Sequence, residues 1–150
     1  MPQHLPPVHT LHPGDVACVN RDERLQTLLG SCVAVTLWHP AKRWGGMCHF
    51  LLPERKGPTD GVLDGRYGSE AIDLLVMRLR ELGTRPEDYV AHLYGGADTM
   101  PDGVQVKFNV GERNIEKGWS LIDQHGFQLQ GVDVGEDVPR TVTLTLATGE

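Results

Sequence analysis

Two apolar runs, residues 33–38 and 46–52, are joined by the turn-forming interval His39-Pro40-Ala41-Lys42-Arg43, which makes them neighbouring strands of a sheet. Cys32 stands just before the first run, behind Gly30 and Ser31, where a tight turn leaves its sulfur exposed. His49 lies seventeen residues later, inside the second run. Adjacent strands set these two side chains beside each other at one end of the sheet. A thiol is a good nucleophile only as the thiolate, and an imidazole is the usual group to take its proton. Isolated histidines on strands are more often satisfied core residues, so this spacing leaves both a core histidine and a catalytic base open.

The rest of the chain reads as short strands and two helices. Residues 1–13 hold Pro2, Pro6, Pro7 and Pro13 among three histidines, a composition that predicts a mobile tail before a domain at 14–150. Residues 15–20 form a short strand. Arg21-Asp22-Glu23-Arg24 is a charged, solvated turn, and 25–29 leads into the Gly30-Ser31-Cys32 turn. Residues 53–65, rich in proline, glycine and charge, form a surface loop. Ile72, Leu75, Val76, Leu79 and Leu82 recur at helical spacing and predict a helix over 69–82, with Ser69 as N-cap and Gly83 and Pro86 as the stop. A strand at 90–94 runs into Gly95-Gly96-Ala97, read as a turn in preference to a close backbone approach to a ligand. Residues 104–108 alternate and enter a second helix, 110–125, capped by Asn109 with Glu112 and buried through Ile115, Trp119 and Ile122. Strands at 127–133 and 140–147 close the chain, the latter alternating strictly as a sheet with one wet face should.

Composition narrows the function. A chain of 150 residues is one domain with a sizeable core. Its net charge of −6, with no run of Lys/Arg longer than two, disfavours nucleic acid and anionic membranes as partners. Three cysteines without paired spacing point to a reducing compartment and fit a zinc site poorly. Cys18 and Cys48 read as small buried hydrophobes, and Cys48 points to the opposite strand face from His49. Neither a secretory leader nor an apolar stretch of roughly 18 residues for membrane insertion is evident, so a cytoplasmic protein is expected.

Thr27-Leu28-Leu29-Gly30-Ser31-Cys32-Val33-Ala34-Val35 and Gly45-Gly46-Met47-Cys48-His49-Phe50-Leu51-Leu52-Pro53 closely resemble the CheD family of chemoreceptor glutamine deamidases. The likeness continues in order through Gly65-Arg66-Tyr67, Gly95-Gly96-Ala97, 109–114, Asp133-Val134-Gly135 and Arg140, and so covers roughly residues 14–149. Asp98-Thr99-Met100-Pro101 departs from the apolar pair that relatives carry there.

The resemblance implies an α/β single domain: a β-sandwich-like core of mixed strands flanked by two or three helices. It also implies a glutaminase acting through Cys32, His49 and Thr27, with Gly30 and Ser31 against the substrate and no cofactor or metal. Cys32 would be a thiolate of lowered pKa paired with protonated His49, and the reaction would pass through a thioester. The implied partners are a methyl-accepting chemoreceptor and a CheC-type phosphatase. The alternative is a noncatalytic chemotaxis adaptor that binds such a phosphatase.

Overall fold

The computed structural model describes residues 6–57, 61–97, 110–135 and 139–149. Among these, β2 (Val16–Val19), β4 (Val33–His39), β5 (Trp44–Phe50), β6 (Val90–Gly95) and β7 (Gln128–Val134) form a five-stranded sheet in the order β2-β5-β4-β6-β7. A three-stranded sheet has the order β1-β3-β8, from β1 (Val8–Leu11), β3 (Arg24–Leu29) and β8 (Arg140–Thr145). Both sheets are mixed: β1 runs parallel to β3 and β6 parallel to β7, while the other pairings are antiparallel. The helices α1 (Gly68–Glu81) and α2 (Val110–His125) complete the α/β domain.

Side-chain alternation builds three layers from this order. Along β4, Val33, Val35 and Leu37 join Cys48 and Phe50 of β5 against Ile72, Leu75 and Leu79 of α1 and Leu121 and Ile122 of α2. The intervening residues, Ala34 and Met47, face the other way and pack on Leu11, Leu25, Leu29, Val142 and Leu144 of the small sheet. His49 falls between Cys48 and Phe50, so the same alternation turns it from the helical core into the space between the sheets.

Four expectations are corrected. Within the segment read as a proline-rich tail, Val8–Leu11 is a strand. Its flanking prolines lack N–H groups but keep their carbonyls: Pro7 accepts from the Arg24 backbone N–H (2.8 Å) and Pro6 from Arg24 Nε (3.1 Å). The charged turn at 21–24 is only partly solvated, because Arg24 opens β3 and Glu23 is nearly buried with Arg21 Nε at 2.7 Å. Ser69 is not the N-cap of α1; Tyr67 holds that position without a side-chain cap bond, and Glu70 is engaged by Arg55 and the Asp64 N–H.

The fourth correction concerns α2. Trp119 is 48% exposed, and the buried face is Gly111, Asn114, Gly118, Leu121 and Ile122. A Cβ at Gly118 would lie 2.7 Å from Leu93 Cδ1, so the helix lies against the sheet on its glycine side and turns the indole outward. The predicted strand at 104–108, the cap at Asn109 and the 98–101 departure lie outside the described residues.

Candidate functional site

Thr27 reaches the intersheet space because β3 alternates, with Leu25, Thr27 and Leu29 turned inward. Thr27 Oγ1 donates to the Leu11 carbonyl at 2.9 Å and lies 2.7 Å from His49 Nδ1. A hydroxyl has one hydrogen, and the carbonyl takes it, so the threonine oxygen accepts from Nδ1–H. That fixes the neutral ring in the tautomer whose Nε2 carries the free lone pair. His49 Nε2 is buried without a hydrogen-bond partner among the described residues. The His49 main chain is fixed by the neighbouring segment, with Gly14 N–H donating to His49 O (2.8 Å) and His49 N–H to Asp15 O (3.3 Å).

Cys32 precedes β4 by one residue. Ala34 is directly opposite His49, so Cys32, two residues back, lies on the same face as a diagonal neighbour, about 7–8 Å away between backbones. Its side chain is half-buried against the intersheet core, on the histidine's side. No hydrogen bond joins Cys32 to His49 among the described residues. Catalytic hydrogen bonds are commonly long before substrate arrives and tighten in the complex. Cys48 lies in the helical core, on the other face.

The loop carrying Cys32 is tied down by its carbonyls. Gly30 O accepts from Ala97 N (3.0 Å), Ser31 O from Asn114 Nδ2 (3.4 Å) and Cys32 O from Gly96 N (2.8 Å). Gly95-Gly96-Ala97, expected to be a turn, is the end of β6 and a close backbone approach to the cysteine loop. Gly95 has φ of 103°, and a Cβ there would collide with the Cys32 carbonyl.

Electrostatics overturn the expected resting ion pair. Burial pushes the Cys32 thiol up from its ordinary value, as it does Cys18 (to about 11) and Cys48 (to about 12). Burial also lowers His49 to about 4, opposed by the Asp15 carboxylate and assisted by His12. At neutral pH the two groups rest as thiol and imidazole, and the proton must move as the sulfur attacks.

The unfolded chain protonates His49 near its ordinary 6.5 and the folded chain only near 4, so between these values the unfolded state holds more protons. Stability is complete above about pH 6.5 and falls as the pH drops toward 4, by about 3 kcal/mol. Urea midpoints at pH 7 and pH 4.5 measure it, and equal His49 contributions at both would contradict the burial argument.

Leu11 and Asp15 were not singled out in the sequence, and Asn114 stood there only within the 109–114 likeness, with no role. A helical stripe that admitted glycine and asparagine as inward residues would have found Asn114.

The fold and site define a class: a two-sheet α/β domain with a buried histidine–threonine couple on the face toward which a cysteine just before β4 is turned. The chain belongs to the CheD family, whose model, described as CheD chemotactic sensory transduction, matches residues 51–150. It is 41% identical over 140 residues to the probable chemoreceptor glutamine deamidase CheD 3 of Dechloromonas aromatica, covering 93% of this chain and 82% of the relative. It is 40% identical over 141 residues to the probable chemoreceptor glutamine deamidase CheD of Pseudomonas syringae pv. tomato, covering 93% and 83%. A faint likeness to the crystal structure of Bacillus licheniformis hypothetical protein YfiH (TM-score 0.47, 15% identity, 79% of this chain and 49% of that one) has no bearing on function. No helix among the described residues is long and apolar enough to cross a membrane.

Proposed function

We propose that this chain is a chemoreceptor glutamine deamidase in which Cys32 is the nucleophile, His49 the acid–base group and Thr27 the residue that orients His49. The observation that carries the reading is the Thr27–His49 hydrogen bond at 2.7 Å, with Nε2 left free on the cysteine's side of the sheet. A histidine kept for packing alone has no use for a second polar side chain that selects its tautomer.

The Cys32 sulfur attacks the side-chain amide carbon of a receptor glutamine as its proton passes to His49 Nε2. The carbonyl π pair moves onto oxygen, and backbone N–H groups at the cysteine loop stabilise the oxyanion. His49 returns the proton to the departing nitrogen, the C–N bond breaks and ammonia leaves a thioester. Neutral His49 then takes a proton from water, the hydroxide oxygen adds to the thioester carbon, and the thiol leaves with that proton. Glutamine has become glutamate, and the receptor helix gains one negative charge. Gly30 and Ser31 hold the loop against the substrate, the reaction is cytoplasmic, and a CheC-type phosphatase is a regulatory partner.

Mass spectrometry of a receptor cytoplasmic fragment after incubation tests this reading. Each modified glutamine gains about one dalton, the mass difference between an amide and an acid, and no peptide bond is cut; an unchanged fragment would end it. Replacing Thr27 with valine keeps the shape and removes the acceptor. The rate should fall about 10- to 1000-fold, within the range of general-base contributions. Wild-type turnover by T27V would remove Thr27 from the site.

A further inference from the structure

We propose that Asn114 is a positioning residue that aims the Cys32 backbone N–H at the oxyanion, a role that rests on the deamidase reading above. Asn114 is fully buried on the inner face of α2. Its Nδ2 donates to Leu51 O at 2.9 Å and, over a longer 3.4 Å, to Ser31 O. The amide has two hydrogens, and each finds a carbonyl. These carbonyls belong to the residue before the nucleophile and the second residue after His49. One side chain thus joins the two segments that the chemistry needs in register.

The consequence lies in the geometry of the peptide unit. No described peptide bond is cis, and in a trans unit the C=O and the following N–H point in opposite directions. With the Ser31 carbonyl drawn toward α2, the Cys32 N–H points away from the helices, to the side of the sheet on which His49 lies. The neighbouring carbonyls of Gly30 and Cys32 are held by backbone donors at Ala97 and Gly96. The Ser31–Cys32 unit is the one in this loop whose carbonyl is held by a side chain. Asn114 Oδ1 is buried without a hydrogen-bond partner among the described residues, a burden that an apolar residue would avoid. Packing alone does not account for an amide there, whereas the tether does.

The test compares two reactions of the same sulfur. Deamidation passes through an oxyanion, whereas alkylation by iodoacetamide forms the S–C bond as iodide leaves and develops none. N114D keeps the side-chain shape and replaces the donor, and N114A, which buries no charge, provides the same comparison. For both, kcat for ammonia release from a receptor fragment should fall about 10²- to 10³-fold with KM little changed, the effect of losing one oxyanion donor. Alkylation of Cys32 at pH 9 should stay within about 3-fold of wild type, since it draws on thiolate fraction and access alone. Amide hydrogen exchange at 31–33 should rise at least ~10-fold in N114A as the loop loses its tether. Equal losses in both reactions would mean general displacement of the loop and would overturn the positioning role, as would unchanged exchange or unchanged kcat. Wild-type protein that releases no ammonia would instead overturn the deamidase reading, and the oxyanion role with it.

Discussion

Cys32→Ala is expected to abolish ammonia release from a receptor fragment, lowering it by at least about 10⁴-fold, to the level of the fragment alone, because the proposed covalent intermediate forms on its sulfur. The other two thiols offer no substitute. Cys48 is buried in the helical core on the far face of β5, and Cys18 is held protonated up to about pH 11. The variant should fold normally, since the half-buried Cys32 contributes one small side chain to the edge of the intersheet core. Ammonia assay and fragment mass together decide the outcome. If C32A and wild type release ammonia at the same rate, the sulfur has no part in the chemistry, and a noncatalytic adaptor becomes the better account.

His49→Gln is expected to be nearly as damaging, with kcat lowered about 10²- to 10⁴-fold by loss of the acid–base group. Two pH measurements separate this from damage to the core. In the proposed mechanism neutral His49 is the active form, so kcat/KM of the wild type should hold through pH 5 and fall only near pH 4. A limb near the ordinary value of 6.5 would contradict the enclosed ring seen here. In H49Q the acid-dependent stability loss attached to this ring should disappear. The variant is therefore expected to gain on the wild type between pH 6.5 and 4 even as it loses activity. An H49Q protein that is unfolded at pH 7 would show that His49 serves the core first.

The chain's local patterns carried much of the architecture. The alternation of 141–146 recurs as β8, whose Val142 and Leu144 are buried and whose Thr141 and Thr143 are exposed. The 3.6-residue spacing of Ile72, Leu75, Val76 and Leu79 recurs as the buried face of α1. Such patterns are readable because burial of one face is a local constraint on side-chain type. Trp119 failed that logic. The close approach of α2 to β6 is set by Gly118 against Leu93, a distance between elements that hydrophobicity along one helix does not encode. Val8–Leu11 failed for a related reason: its prolines rule out donors at their own positions, but its acceptors and its partner β3 lie elsewhere in the chain.

What the sequence determined alone was the pair of neighbouring strands, with Cys32 just before the first and His49 within the second; the register that sets Ala34 opposite His49, and so puts Cys32 on the histidine's face, came with the folded sheet. Tertiary structure decided the ionisation of that pair and its supports. Burial between two sheets keeps thiol and imidazole neutral, the Leu11 carbonyl sets the role of Thr27, and Asn114 reaches Ser31 and Leu51 from a separate helix. Desolvation and hydrogen bonds between distant segments depend on which surfaces meet, and that is fixed only when the layers close.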